Sequence, residues 1–207
     1  MRAFIAVELP HQVRVVLHAL QRELAQATTD VKWVEQENLH VTMRFFGDMS
    51  DEQRQGIEQA LARIAAQTPA IQMQLSQLGT FPTEPAPSSL ARKCRTMPIV
   101  RPNKPAMRVI WMGIEQGAKE LVRLAELLER EVRTLGIPED ENTFVAHVTL
   151  GRVRFPKPRP EPFARIHECA WTPPPPCLLT HLTLFQSTLS SAGPTYTALA
   201  KVPLRIV

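Results

Sequence analysis

The stretches His40–Met43 (HVTM) and His147–Leu150 (HVTL) decide the fold of this chain of 207 residues. Both lie in runs with strand character, and successive side chains of a strand point to opposite faces. His40 and Thr42 therefore share one face, and the apolar residue after each of them takes the other, where it can enter a core. Two such strands facing each other would bring two imidazoles and two hydroxyls into one cleft. This set supplies an acid, a base and hydrogen-bond donors, which suffice to hydrolyse a phosphodiester without a metal.

The segments around the two motifs follow a similar order. Apolar spacing and capping residues predict helices over 11–27, 51–66 and 118–135. Apolar runs, several of them alternating, predict strands over 3–8, 31–34, 39–46, 70–78, 107–114, 144–154, 163–171, 178–187 and 195–205. Each half of the chain then holds one His-Val-Thr strand in a strand–helix arrangement. The prediction is an α+β fold of two pseudo-duplicated lobes, with mainly antiparallel sheets flanking a central cleft and helices outside.

Composition indicates a cytoplasmic protein. The formal net charge of +4 favours polyanions only mildly. The odd number of cysteines (Cys94, Cys169 and Cys177) excludes a full intramolecular disulfide framework, so we expect reduced thiols. The first ten residues are too short an apolar segment for a signal peptide, and no run is long enough for a membrane helix. We therefore expect no membrane association.

The segment 80–106 is predicted to be a long, basic, proline-rich loop. It contains six prolines and five basic residues, which are Arg92, Lys93, Arg95, Arg101 and Lys104. Loops of this length in compact domains are usually functional or disordered. The segment is either a solvated excursion or a flap that adds positive charge beside the cleft.

Spacing alone does not select the two catalytic histidines, because His181-Leu182-Thr183-Leu184 is a third match to the same pattern. Context separates them. His147 is followed by Arg152 and Arg154, which would bring two cations to a phosphate site, whereas no basic residue is near His181.

Several segments together resemble one family. WVEQENLHVTMRFFGD (33–48) and HVTLGRV (147–153) resemble the two signatures of the two-histidine (2H) phosphoesterases of the LigT type, which are RNA 2′,3′-cyclic phosphodiesterases once called 2′-5′ RNA ligases. MRAFIAVELP, RVIWMGI and STLSSAGPTYTAL resemble its first strand, its middle strand and its C-terminal element. The resemblance implies one 2H phosphoesterase domain over residues 1–207 with two pseudo-symmetric lobes. It also assigns His181 to a structural strand.

The resemblance further implies catalysis by His40 and His147 without metal or cofactor. An imidazole with a pKa near 6.5 can serve as acid or base at neutral pH. We expect His40 to protonate the departing O3′ and His147 to take a proton from water, although these roles could be exchanged. Thr42 and Thr149 are expected to bind phosphate oxygens, and Arg152 to offset negative charge. Arg154 either does the same or is only a surface charge.

The expected partner is RNA with 2′,3′-cyclic phosphate ends, with tRNA fragments as one candidate source, and the expected state is a monomer. The same site used in reverse would join RNA ends in 2′-5′ linkage without ATP. Alternatives are a phosphodiesterase acting on 2′-5′ oligonucleotides or small cyclic phosphates, and a non-catalytic protein that binds RNA ends. A zinc site is a further alternative, although no additional ligand lies near either motif. Met43 and Phe46 replace the family's leucines, and such core exchanges should change little.

Overall fold

A computed structural model describes residues 1–27, 30–81, 108–140, 142–154, 171–190 and 193–206. Within them lie three helices: α1 (His11–Ala27), α2 (Asp51–Gln67) and α3 (Ala118–Thr134). The strands of this part are β1 (Arg2–Glu8), β2 (Val31–Trp33), β3 (His40–Asp48), β4 (Ile71–Phe81), β5 (Val109–Gln116), β6 (His147–Val153), β7 (Cys177–Leu179), β8 (His181–Leu189) and β9 (Pro194–Pro203).

The strands form two antiparallel sheets, as predicted. One sheet has the order β3-β1-β8-β9, and the other has the order β2-β6-β5-β4-β7. The series β3-β1-β8-β9 and β6-β5-β4-β7 correspond to each other strand by strand. Each sheet therefore takes strands from both halves of the chain: β8 joins β1, and β4 joins β5.

The helices follow from local sequence signals. Ser50 begins α2 with a capping box, in which its hydroxyl accepts from the Gln53 backbone and the Gln53 side chain accepts from the Ser50 backbone. In α3, the leucines and the valine that recur every three or four residues are buried: Leu121, Leu124, Leu128 and Val132. The helices thus offer apolar stripes to the sheets.

The core lies between these stripes and the sheet faces that turn away from the histidines. Val41, Met43, Val148 and Leu150 belong to it and are almost fully buried. The pattern of burial along both motifs alternates as the strand period requires. The histidine faces are therefore left for the space between the sheets.

The observed elements differ from the predicted ones mainly at their ends. A 3-10 turn, Gln36–Asn38, separates β2 from β3. The strand predicted over 178–187 is two strands, β7 and β8, which Thr180 separates. β4 runs on to Phe81, so the first two residues of the predicted loop 80–106 are strand residues, and the rest of that loop lies outside the described residues.

The ends of β4 and β5 meet, since the Arg108 N–H donates to the Phe81 carbonyl at 2.8 Å. The predicted strand 163–171 lies outside the described part of the chain except for Trp171, which is in neither helix nor strand. No helix of the described residues has the length and apolar character needed to cross a membrane.

Candidate active site

His40 begins β3 with its ring held at both nitrogens. Nδ1 lies 2.7 Å from the Asn38 carbonyl, and Nε2 lies 2.9 Å from Thr42 Oγ1. A carbonyl can only accept, so the proton of the neutral ring sits on Nδ1 and Nε2 carries the free lone pair. Nε2 is therefore the atom that can exchange a proton with a ligand beside Thr42.

His147 begins β6 in the same way. Its Nδ1 lies 2.7 Å from the Val145 carbonyl, and its Nε2 lies 3.3 Å from Thr149 Oγ1. The same reasoning leaves the Nε2 lone pair free. The two motifs are thus copies of one geometry: a carbonyl two residues before the histidine fixes the tautomer, and a threonine two residues after it contacts Nε2.

Burial lowers the pKa values of both imidazoles in the free protein. Burial lowers the pKa of His40 from 6.5 to about 4, partly opposed by the Asn38 carbonyl and assisted by the charge of His147. Burial also lowers the pKa of His147, partly opposed by the Val145 carbonyl and assisted by Arg152. The effect of His147 on His40 indicates that the two rings face the same cleft. The strands β3 and β6 are in contact although they belong to different sheets, and this contact brings His40 and His147 near each other.

A bulge follows each threonine and determines which side chain comes next on the cleft face. Against β1, the register shifts between Thr42 and Arg44; against β5, it shifts between Thr149 and Gly151. One residue is added in each case, and it is the apolar residue of the motif. Strict alternation would turn the fifth residue after each histidine away, but a bulge re-aims it toward the cleft.

The two residues re-aimed in this way are Phe45 and Arg152. Phe45 is 53% exposed, and its ring centroid is 5.5 Å from that of Phe4. Arg152 is exposed and close enough to influence the pKa values of both His147 and Tyr196. At equivalent positions, the cleft thus has an aromatic ring in one sheet and a guanidinium in the other.

Each histidine rests on aromatic rings of its own sheet. Phe4 stacks on His40 with centroids 5.0 Å apart and on Phe185 at 5.3 Å. Tyr196 meets His40 edge-on at 5.7 Å. In the second sheet, Phe81 meets His147 edge-on at 5.1 Å. These rings contribute to the burial that lowers both pKa values.

Trp111 is the second ring beside His147, at a centroid distance of 6.0 Å. It fits there because Gly79, its neighbour on β4, has no side chain. A Cβ at Gly79 would come within 2.2 Å of the indole. Any larger residue at that position would have to displace the ring that supports His147.

A cavity of about 580 Å³ opens beside the pair, between β2, β9 and the turn before β3. Its lining includes Lys32, Trp33, Asn38, Arg152, Pro194 and Tyr196. Lys32 and Arg152 are directly opposite each other in the β2–β6 ladder, where two like charges repel. An anion placed between them would relieve this repulsion. A second cavity of about 380 Å³, between the end of α2 and the start of α3, contains none of the predicted site residues.

The structure brings together His40, Thr42, His147, Thr149 and Arg152 from the predicted set. Arg154 is exposed, and its backbone N–H donates to the Asp30 carbonyl; its side chain does not line the cavity. His181 contacts Thr180 Oγ1 at 2.9 Å rather than His40 or His147. Among the residues that the structure describes, no three His, Cys, Asp or Glu side chains are grouped as a metal site would require.

Several residues of the site were missed by sequence reasoning. Phe4, Phe81 and Trp111 occur in strands whose apolar character predicts burial but not contact with a histidine. Tyr196 lies in the quoted STLSSAGPTYTAL element, which gives a position without a role. No spacing pattern in the sequence singles out these four aromatic residues.

Comparisons with known proteins agree with this architecture. The sequence profile described as LigT like Phosphoesterase matches residues 7–90 and again 113–196. The RNA 2′,3′-cyclic phosphodiesterase of Aeropyrum pernix is 30% identical over 90% of this chain and 93% of its own length. The protein of the same name from Methanothermobacter thermautotrophicus is 29% identical over 95% of both. The crystal structure of TT0787 of Thermus thermophilus matches with a TM-score of 0.75 at 27% identity, over 100% of this chain and 99% of that one.

Proposed function

This chain belongs to the LigT-like phosphoesterase family and is a phosphodiesterase, and we propose that it hydrolyses 2′,3′-cyclic phosphate ends of RNA to 2′-phosphates by acid–base catalysis without a metal. The observation that carries the proposal is the repeated geometry of His40 and His147. In each, Nε2 is free to exchange a proton next to a threonine hydroxyl. The names of the relatives point to the same substrate.

The reaction needs one proton acceptor and one proton donor. Water attacks phosphorus, its proton passes to one imidazole, the P–O3′ bond breaks, and the other imidazole gives a proton to O3′. The order of roles expected from the resemblance has His40 as the acid. The low pKa of His40 argues for the reverse, because a group with a pKa of about 4 is unprotonated at neutral pH. In the proposed mechanism, therefore, His40 accepts from water, and His147, which takes up a proton at Nε2 when the anionic phosphate binds beside it, donates that proton to O3′.

Thr42, Thr149 and Arg152 bind the phosphate in this mechanism. Each threonine hydroxyl turns from its histidine to a non-bridging oxygen when substrate enters. The Arg152 guanidinium stabilises the negative charge that grows in the transition state, a contribution usually worth roughly a hundredfold or more in rate. The cavity lined by Lys32 and Tyr196 then receives the adjoining nucleotide.

The first experiment is incubation of the protein with a 2′,3′-cyclic-phosphate RNA oligonucleotide in excess chelator. Wild type should yield a 2′-phosphate end, and His40→Ala and His147→Ala should each lose about 10²- to 10⁴-fold in kcat. His11→Ala, an exposed histidine on α1, is the matched control and should keep full activity. Loss of activity in chelator would contradict the metal-free mechanism. Turnover of 2′-5′ oligonucleotides in preference to cyclic ends, or binding without turnover, would replace the proposed substrate by one of the alternatives.

A substrate with sulfur in place of the bridging O3′ tests the order of roles. Sulfur leaves without being protonated, so it relieves the need for the acid and not for the base. The proposed order predicts that this substrate rescues His147→Ala and leaves His40→Ala inactive. If this substrate rescued His40→Ala alone, the assignment expected from the resemblance, with His40 as the acid and His147 as the base, would be correct.

We also propose that the protein acts in the cytoplasm as a monomer, with tRNA fragments among its substrates. A 5′-hydroxyl can attack the phosphorus of the cyclic phosphate in place of water, with the same proton transfers and the same breaking of the P–O3′ bond, so the site would also join RNA ends in 2′-5′ linkage without ATP. Mixing cyclic-phosphate and 5′-hydroxyl RNA fragments at high concentration tests this proposal. We expect wild type to make a linked product, and we expect His40→Ala and His147→Ala to make none.

A further inference from the structure

Gln21 is a buried polar residue that the mechanism above does not use. It lies on α1, is 2% exposed, and sends its amide group into the sheet that carries His147. Nε2 donates to the Val34 carbonyl at 2.9 Å and to the Leu150 carbonyl at 2.8 Å. Its Oε1 lies 3.2 Å from His18 Nδ1. Both amide protons are thus used, which fixes the orientation of the side chain.

The two carbonyls that Gln21 binds lie where the bulge forms. Leu150 is the residue that the bulge adds to β6, and its carbonyl also accepts from the Val34 N–H at 2.9 Å. Gln21 therefore joins α1, the end of β2 and the bulge of β6. Arg152 follows two residues later, opposite Lys32 of β2. Since a bulge determines which face the following side chains take, the group that holds its carbonyl also determines where Arg152 points.

The connection crosses the molecule. α1 follows β1, a strand of the first sheet, yet Gln21 binds β2 and β6 of the second sheet. The other bulge has a corresponding connection: Arg44, beside the added residue Met43, reaches Glu129 on α3. Each bulge is thus bonded to the helix that follows a strand of the opposite sheet.

We propose that Gln21 is a positioning residue for Arg152: by binding the Leu150 and Val34 carbonyls it fixes the β6 bulge and aims the guanidinium at the phosphate. This inference rests on the proposed function for its kinetic test. The inference requires that replacing Gln21 lowers kcat because Arg152 is misplaced, and not because the whole protein is less stable.

A double-mutant cycle on kcat tests the inference. Gln21→Met keeps the side-chain length and removes the amide, and we expect a roughly tenfold fall in kcat with KM changed less than twofold. In an Arg152→Ala background, the same change should alter kcat less than twofold, because there is no guanidinium to aim. An equal fall in both backgrounds would overturn the proposal. Gln26→Met, on the exposed side of α1, is the matched control.

Two further variants separate positioning from stability. Leu17→Val loosens the packing of α1 without touching a carbonyl, so it should lower Tm but not kcat. Gln21→Asn draws the amide back by one methylene and serves if Gln21→Met does not fold. If Leu17→Val and Gln21→Met lowered Tm by the same amount and also lowered kcat by the same factor, the assignment of Gln21 as a positioning residue would be contradicted.

An NMR titration of the His147 ring gives a readout that needs no turnover. The charge of Arg152 contributes to the lowered pKa of His147. Arg152→Ala should therefore raise that pKa, Gln21→Met should raise it in the same direction, and the double variant should equal Arg152→Ala. If Gln21→Met left the pKa of His147 unchanged, the inference would be overturned, even if the protein hydrolysed no cyclic phosphate. If the titration gave the expected shifts but wild type were inactive, only the proposed function would be overturned.

Discussion

The two His-Val-Thr strands have the same motif and the same bulge, but their surroundings differ. On β3, the bulge turns Phe45 to the cleft; on β6, it turns Arg152 there. The β3 side is therefore apolar and lowers the pKa of its histidine to about 4, while the β6 side is cationic. The two halves thus have equivalent strands with equivalent bulges, and the one residue that each bulge turns to the cleft determines what that side can bind.

The connections that hold the two bulges differ in chemistry as well. Gln21 holds the β6 bulge with neutral hydrogen bonds, whereas Arg44 joins β3 to α3 and to the segment after it with charges. Arg44 is 7% exposed; its Nε lies 2.7 Å from Glu129 Oε1 without the alignment of a hydrogen bond, and its Nη1 lies 3.1 Å from Asp140 Oδ2. Its Nη2 donates to the Pro138 carbonyl at 2.5 Å. The ionic connection should be the more costly one to break.

Replacement of Arg44 tests that difference and has the largest expected effect. Arg44→Met leaves Glu129 and Asp140 without their cation, and the free energy of unfolding should fall by about 3 kcal/mol, the lower end for breaking a buried pair, because both carboxylates are partly exposed. Arg63→Met, which breaks the exposed pair with Glu131 between α2 and α3, should cost less than about 1 kcal/mol. Denaturant unfolding measures both; equal losses would show that the Arg44 cluster is no stronger than a surface pair.

Replacement of Arg152 tests the cationic side. Arg152→Ala should lower kcat roughly a hundredfold, because the lost charge acts mainly in the transition state, with a smaller change in KM. Arg154→Ala is the comparison two residues along the strand, and steady-state kinetics on one cyclic-phosphate substrate measures both. A similar loss for the two variants would mean that Arg154 also binds phosphate, which is one of the two alternatives that the sequence left open for it.

The pH dependence of stability tests the apolar side. Between pH 6.5 and about 4, the unfolded chain binds a proton on His40 and the folded chain does not, so stability falls as the pH falls through this window. The contribution is about 3 kcal/mol at its full extent. His40→Gln should abolish this part of the acid sensitivity, measured by denaturant unfolding at several pH values. His147→Gln should act in the same direction, and His11→Gln should leave the wild-type profile unchanged.

Replacement of Phe45 is the smallest of the expected effects. An exposed ring beside the proposed catalytic pair can stack on the terminal base, and such stacking is worth about 1 to 3 kcal/mol. Phe45→Ala should therefore raise KM roughly tenfold on an RNA end and leave kcat nearly unchanged. On a substrate whose terminal nucleotide lacks its base, the variant and wild type should have the same KM. A persistent difference there would exclude stacking, and Val15→Ala controls for the loss of an exposed apolar side chain.

The sequence predicted the histidine strands well because alternation fixes a face directly. The two-residue period was enough to place each histidine on the same face as its threonine. Choosing these two motifs over His181–Leu184 also needed the neighbouring residues and the family resemblance. Arg152 was placed at the phosphate only because it follows His147, whereas strict alternation would have turned it away. The bulge that corrects this depends on pairing with β5, which the sequence of β6 does not contain.

Strand partners were also beyond the sequence. The alternating run of β4 predicts a half-buried strand but not that it lies beside β5, and the apolar pattern of β8 does not indicate β1. Gln21 and Arg44 could not be identified for the same reason. On α1 alone, Gln21 is a polar residue on an apolar face, and strict alternation would place Arg44 on the face of His40 and Thr42. Their partners lie 129 and 94 residues away along the chain.

The exchange of strands between the sheets has a consequence for how the molecule can be divided. A cut between Phe81 and Arg108 would leave β1 without β8 in one fragment and β5 without β4 in the other. Each fragment would have an open strand edge and half a core, which predisposes an isolated piece to aggregate. The two fragments should regain a native-like sheet order only when mixed, so the halves of this duplicated sequence form one cooperative unit and behave as complementary parts of a split protein.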